Sequence, residues 1–143
     1  MTLPTAAEGA ELMAELDTAA CGRLLAAKEF GRLAVVDAGE PVIIVLNHLV
    51  DRADVMLRTR DDSRLARLTA DGHQIKAVFE VDSAFPVGRA GWSVIASGLL
   101  GRETDAERIS RTRTKLEAWA QGDRDVVIRL SVNQLSGRRV GPE

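Results

Sequence analysis

Residues 32–60 read RLAVVDAGEPVIIVLNHLVDRADVMLRTR, and the fold is decided there. Arg32 to Asp37 is rich in β-formers, Ala38-Gly39-Glu40-Pro41 is turn chemistry, and Val42 to Val50 is a second β-branched run, so the first two segments predict a hairpin. Asp51 to Ala53 turns again. Asp54 to Arg60 then alternates, with Val55, Leu57 and Thr59 on one face and Met56, Arg58 and Arg60 on the other, which is the period of a half-buried strand. Consecutive strands joined by such short turns must be antiparallel, because a parallel neighbour needs a crossover of a dozen residues or more.

Working outward, Asp17 or Thr18 caps a helix in which Cys21, Leu24 and Leu25 form one apolar stripe, stopped by Phe30-Gly31. Ser63 to Ala70 predicts a two-turn helix closed by Asp71-Gly72. Ile75 to Val81 is a strand. A loop over Asp82 to Ala90 leads to the long strand Gly91 to Gly101, whose glycines at 98 and 101 predict bends or close backbone approach. Thr104-Asp105-Ala106-Glu107 has the spacing of a capping box, and Ile109, Leu116 and Trp119 carry the longest helix to Gly122. Val126 to Leu130 is the last core strand, with Gln134 to Val140 as a tail. Helix, three strands, short helix, two strands, helix, strand is not a βαβ order; it predicts a mainly β protein, an antiparallel barrel with peripheral helices.

The 143 residues suit one domain with a single core. With 19 basic and 21 acidic residues interspersed, and neither a basic face nor aromatic platforms (no Tyr, three Phe, two Trp), nucleic acid and anionic membranes are poor partners. Cys21 is the only cysteine, so no internal disulfide forms, and no stretch reads as a signal peptide or spanning helix; a reducing cytoplasm is the expected setting. His48 and His73 lack partners at metal-ligand spacing, so no metal is expected.

The chain has no HExxH, GxSxG, P-loop or GxGxxG, and no catalytic acid, base or nucleophile stands out. One constellation carries chemistry: Arg58-Thr59-Arg60-Asp61-Asp62-Ser63-Arg64. A strand ends with a guanidinium and a hydroxyl, and a helix begins a few residues on, so Thr59, Ser63 and the arginines can surround a phosphate with charge-assisted hydrogen bonds. The competing reading is a solvated turn in which Asp61 and Asp62 pair with the arginines and Ser63 is only a cap. Asn47-His48 interrupts an apolar strand, so one of the two must point inward and be satisfied there. Trp92 is either core filling or a ring-stacking wall.

Taken in order, Gly31-Arg32-Leu33-Ala34-Val35-Val36, Gly39-x-Pro41, Leu46-Asn47-His48, Arg58-Thr59 with Ser63-Arg64-Leu65, Phe79-Glu80-Val81-Asp82, and Gly91-Trp92-Ser93-Val94 with Gly98 resemble the pyridoxamine 5′-phosphate oxidase-like family of flavin-binding split barrels. The likeness runs from about Asp17 to Val140. It implies a six-stranded Greek-key split barrel over residues 17–143 behind a leader of residues 1–16, working as a homodimer with FMN or the deazaflavin F420 at the subunit interface. By position, Thr59, Ser63 and Arg64 match the phosphate turn with Arg58 beside it; Val45, Leu46 and Asn47 match the strand along the ring; Trp92 and Ser93 match the segment closing the pocket. Trp119 would come from the partner subunit. Many relatives carry Pro at Val45 and Lys at Arg64, and Leu65 stands where true pyridoxamine phosphate oxidases have a second basic residue. Their substrate-phosphate arginines have no counterpart here, so vitamin B6 is not the implied substrate. The resemblance implies an oxidoreductase passing hydride or electrons to a small molecule, the ring doing the chemistry; the alternative it leaves is a non-catalytic module holding a flavin, F420 or haem.

Overall fold

Two-residue turns organise the sheet. In the computed structural model, which describes residues 13–83, 88–117 and 123–141, strands β2 (Phe30–Asp37) and β3 (Glu40–Asn47) are joined by Ala38 and Gly39, both at positive φ (51° and 82°). That left-handed pair matches the twist of antiparallel strands. Strands β4 (Leu49–Asp51) and β5 (Asp54–Thr59) are joined in the same way by Arg52 and Ala53, at φ 51° and 69°.

Before them lie β1 (Met13–Glu15) and α1 (Thr18–Ala27), whose cap is Asp17: its carboxylate accepts from the Ala20 amide at 2.7 Å. After them come α2 (Arg64–Leu68), a 3₁₀ turn at Ala70–Gly72, β6 (Ile75–Asp82), β7 (Gly91–Arg102), α3 (Ala106–Lys115) and β8 (Val126–Val140). All strands pair antiparallel in the order β3-β2-β6-β7-β8-β5-β4, with β1 added to the far end of β8. The ends of this order, β3 and β4, are separated in the chain only by His48, so the sheet must curl round to meet itself. Its interior is filled by Leu33, Val35, Val55, Leu57, Phe79, Val81, Val94, Leu100, Ile128 and Leu130, all at most 3% exposed, and α1 adds Cys21 and Leu25 at one end. Burial pushes the Cys21 thiol up, with Asp17 adding to the shift, so it stays protonated and inert.

The antiparallel barrel is therefore as expected, but it has eight strands where six were predicted. The additions are the three-residue strands β1 and β4: β1 lies in the stretch taken for a leader, and β4 is cut from the long Val42–Val50 run at His48. The supposed tail is strand too. β8 continues to Val140 because residues 134–140 find partners along Gly91–Ser97. The extra residue Asn133 is absorbed by a bulge: Ser97 faces Gln134 but Gly98 faces Val132, and a Cβ at Gly98 would stand 1.8 Å from the Ser131 carbonyl oxygen.

Helix α3 also differs from its prediction. Its cap is Asp105, accepting from the Arg108 amide at 3.1 Å, one residue later than the Thr104 capping box. It ends at Lys115, no longer than α1, and Trp119 lies outside the described residues. α3 lies across β4 and β5, through Arg108 and Arg111 to Asp51 and Arg108 to Asp54. This is why Met56, assigned to the open face, is fully buried.

Candidate functional site

Strand β3 enters the site from one side and the β5–α2 corner from the other. Between them is a cavity of about 360 Å³. Its β3 wall is Ile44, Val45, Leu46 and Asn47, and its corner wall is Arg58, Thr59, Ser63, Arg64 and Leu65. Seven of the nine residues proposed from the sequence thus share one hollow. Leu116, which follows α3, and Arg124, which precedes β8, complete it.

The corner is built from hydroxyls. Thr59, 4% exposed, donates its Oγ1–H to Ser63 Oγ at 2.7 Å, and Ser63 Oγ accepts from the Ala66 amide at 3.1 Å as the cap of α2. Arg64 stands half exposed at the rim with its Nε 3.2 Å from Asp37 Oδ2, and Arg67 reaches the same oxygen at 2.7 Å. Their guanidiniums, chiefly through the Arg67 hydrogen bond, hold the Asp37 carboxyl below the usual carboxylate range. The acids nearest in sequence turn away from the cavity. Asp62 is bound by Arg60 at 3.0 Å, while Asp61 and Arg60 line a separate hollow with Asp123 and Asp125. The solvated-turn reading therefore describes Arg60 and Asp62, while Thr59, Ser63 and Arg64 face the cavity.

Arg58 lines the cavity beside Thr59, as its position predicts, with further partners that the sequence did not show. Its Nε donates to the Arg124 carbonyl at 3.0 Å and a terminal nitrogen donates to the Leu116 carbonyl at 2.8 Å, so its guanidinium is engaged with the chain itself.

Of the Asn47-His48 pair, histidine is the inward residue. Asn47 Nδ2 donates to the Glu29 carbonyl at 3.3 Å near the surface. His48 is 3% exposed, its ring lies 4.7 Å from that of Phe79, and its Nε2 is 2.9 Å from the Leu25 carbonyl. That acceptor assigns the proton to Nε2 and leaves Nδ1 buried with no partner. Burial lowers the His48 pKa below the ordinary 6.5, against a smaller raising effect of the Leu25 carbonyl. The unfolded chain then binds the extra proton first as pH falls, so stability is complete above pH 6.5 and declines below it. The unfolding free energy from pH 7 to pH 5, followed by urea titration, is expected to fall for the wild type, by at most about 1.4 kcal/mol per pH unit from this group, and to lose this component in His48→Gln. Parallel curves would place His48 outside the linkage.

Trp92 and Ser93 are not brought to the cavity within the chain. Trp92 packs against the core, its amide donates to Ser83 Oγ at 3.0 Å, and Lys28 Nζ sits 5.4 Å above its ring. With Ser93, Ser83 and Arg138 it borders a separate shallow hollow. Among the described residues, no group of three His, Cys, Asp or Glu is placed to hold a metal ion, and no helix is long and apolar enough to cross a membrane.

The sequence model of the family described as pyridoxamine 5′-phosphate oxidase matches residues 17–139, most of the chain. The chain belongs to this family. Within reach of it, the uncharacterized protein Rv0080 of Mycobacterium tuberculosis is 32% identical over 136 residues, covering 93% of this chain and 89% of that protein. Three solved structures share the fold. A FAD binding protein from Mycobacterium smegmatis superposes with a TM-score of 0.73 at 23% identity, over 89% of this chain and 98% of that one. A FAD-binding protein from Mesorhizobium loti gives 0.74 at 22% identity, over 92% and 98%. A FAD and heme binding protein from Mycobacterium smegmatis has the same fold, with a TM-score of 0.68 at 14% identity over 92% and 75%.

The cavity residues that the sequence reading missed are Ile44, Leu65, Leu116 and Arg124. Leu116 was visible only as an apolar helix position. Arg124 carried no local signal, since nothing in its neighbourhood tells that β8 will begin beside β5.

Proposed function

We propose that this chain binds a phosphorylated flavin or deazaflavin nucleotide in the β3/β5–α2 cavity, as a homodimer, and serves as an oxidoreductase through it. The observation that carries this reading is the division of one cavity into two chemistries. Ile44 and Leu46 offer an apolar strand edge against which a flat ring can lie, and Thr59, Ser63 and Arg64 gather hydroxyls and a guanidinium at the other end. Such a corner suits a phosphate: Asp61 and Asp62 lie outside the cavity lining, and the acid beside Arg64 is Asp37, whose oxygen Arg67 also holds, so Arg64 can turn to a phosphate without leaving that carboxylate unpaired. Bound there, the ring would supply hydride or electron transfer, and the protein would supply binding and orientation. FMN, F420 and FAD share a ribityl phosphate, and the relatives described as FAD-binding add FAD to the two ligands the resemblance implied. The lone, buried Cys21 suits a reducing, cytoplasmic setting.

A second copy completes the reading. The outer face of β3, β2, β6 and β7 presents Ile43 at 72% exposure, Val45 at 63% and Val36 at 60%, with Val78, Ile95 and Leu99 beyond them. Exposed apolar side chains gathered on one sheet face, here crossed by the Arg32–Glu80–Asp82 ion cluster between Val45 and Ile95, favour an interface. Val45 belongs both to that face and to the cavity, so a partner docked there would border the ligand. Trp92 and Ser93, apart from the cavity within the chain, then become candidates to approach it from the partner.

Titration of FMN, FAD, F420 and phosphate-free riboflavin into wild type and Arg64→Ala tests the site, with light scattering for a mass of two chains. Arg64→Ala is expected to weaken the phosphorylated ligands about tenfold, roughly 1.4 kcal/mol, and to leave riboflavin unchanged. Identical curves for FMN in the two proteins would remove Arg64 from the phosphate, and a wild type that binds none of the four would end the reading.

A further inference from the structure

Resting on the cavity being a flavin-nucleotide site, we infer that Arg58 is the positioning residue of the cavity's far wall and not a ligand of the cofactor phosphate. α3 ends at Lys115, and the Leu116 amide still closes on the Thr112 carbonyl at 2.8 Å. Carbonyls at this end of a helix have no intrahelical donors left, and a cation is the favourable partner for them. Arg58 supplies it from the neighbouring strand. One terminal nitrogen donates to the Leu116 carbonyl at 2.8 Å and lies 3.4 Å from the Arg113 carbonyl, while Nε donates to the Arg124 carbonyl at 3.0 Å.

These contacts join two stretches of chain that are distant in sequence. Leu116 follows α3, Arg124 precedes β8, and both line the cavity together with β3. A second bond ties the same stretches from the other direction, since the Arg113 guanidinium donates to the Asp125 carbonyl. Arg58 thus fixes the wall that completes the cavity with Ile44 and Leu46, and with it the width of the slot for the ring. Its planar fork is required for this. A lysine keeps the charge, but its single ammonium on a flexible stem cannot hold carbonyls on two separate segments in a fixed plane.

The two roles separate in Arg58→Lys and Arg58→Ala, using the full chain. Affinities for FMN and riboflavin are measured by flavin fluorescence, and exchange of the Leu116, Arg124 and Asp125 amides is followed in the ligand-free protein. A positioning role predicts that both variants lose about tenfold for both ligands, with the FMN to riboflavin ratio unchanged, and that these amides exchange faster. Two results overturn it: FMN affinity kept in Arg58→Lys but lost in Arg58→Ala with riboflavin untouched, which makes Arg58 a phosphate ligand, or unshifted exchange with unchanged affinities. Should the wild type bind neither flavin, the site reading fails by itself, and the exchange of the wall amides still decides whether Arg58 holds them. If Arg58→Ala does not fold, Arg58→Lys carries the test.

Discussion

Gly98→Ala is expected to be the most damaging single-methyl change in the protein. The added Cβ would lie 1.8 Å from the Ser131 carbonyl oxygen and 3.2 Å from the Val132 Cα, both backbone atoms of the paired strand. No rotamer relieves such a contact. The ladder must open at the β7–β8 bulge, which is the longest pairing in the sheet. Overpacking that only displaces side chains costs about 1–3 kcal/mol, and here the backbone itself must move, so a loss of about 3 kcal/mol or more is expected from a total of roughly 5–15 kcal/mol. Gly101→Ala is the control. Its nearest obstacle is the Gln74 Cγ at 3.1 Å, on a side chain that can swing away, and its cost should stay below about 1 kcal/mol. Urea unfolding of both variants checks the pair; equal midpoints would mean that the bulge does not bring Ser131 over Gly98.

The second large effect is expected at Arg108, on a charge network that no local motif announced. Its side chain is 11% exposed and contacts Asp51 at 2.8 Å, Asp54 at 3.0 Å and Glu103 at 3.3 Å. Glu103 is the most buried member, with its side chain 3% exposed. Its Oε2 accepts from Arg129 at 2.8 Å and from the amides of Thr104 and Asp105, while its Oε1 has only the ionic contact with Arg108 and no hydrogen bond. Burial pushes the Glu103 carboxyl up, but the two amides and Arg129 outweigh it and hold the group below its ordinary 4.5. Removing Arg108 takes the one contact from Glu103 Oε1 and the shared cation from Asp51 and Asp54, while Arg129 stays on Oε2; deletion of one partner of a fully buried pair typically costs about 3–5 kcal/mol, and the remaining guanidinium reduces the loss here. We expect Arg108→Ala at the lower end, about 3 kcal/mol, with Arg108→Lys recovering little because one ammonium cannot span three carboxylates. The sign with pH follows. A carboxyl with a depressed folded pKa stabilises above its unfolded value and loses that contribution as pH falls through the folded pKa. With the Arg108 guanidinium 3.3 Å from Oε1, its removal is expected to ease protonation of Glu103 and to move the acid limb of the Tm profile to higher pH. A variant with the wild-type acid limb would show that Arg108 does not act through Glu103.

Local chemistry explains why so much of the fold was legible. The turns at Ala38-Gly39 and Arg52-Ala53 and the period-two runs of β2, β5 and β6 are decided by adjacent residues, and the order of elements follows from them. The β5–α2 corner was legible for the same reason: Thr59, Ser63 and Arg64 sit within six positions, and a strand-to-helix turn gathers them whatever the rest of the chain does.

The sequence by itself therefore determined an antiparallel barrel, its hairpins, the caps of α1 and α2, and seven residues of one cavity. Tertiary structure alone decided the rest. Residues 134–140 became strand because Gly91–Ser97 offered unpaired backbone groups, a long-range pairing that no alternation in Gln134-Leu135-Ser136-Gly137 records. His48 went inward because the sheet closes at the residue between β3 and β4. The Arg58 guanidinium meets carbonyls 55 to 66 positions away, because the end of α3 and the approach to β8 both lie beside β5. Patterning within a strand fixes which way a side chain points; the partner waiting on that face is chosen by elements that the neighbouring residues cannot encode.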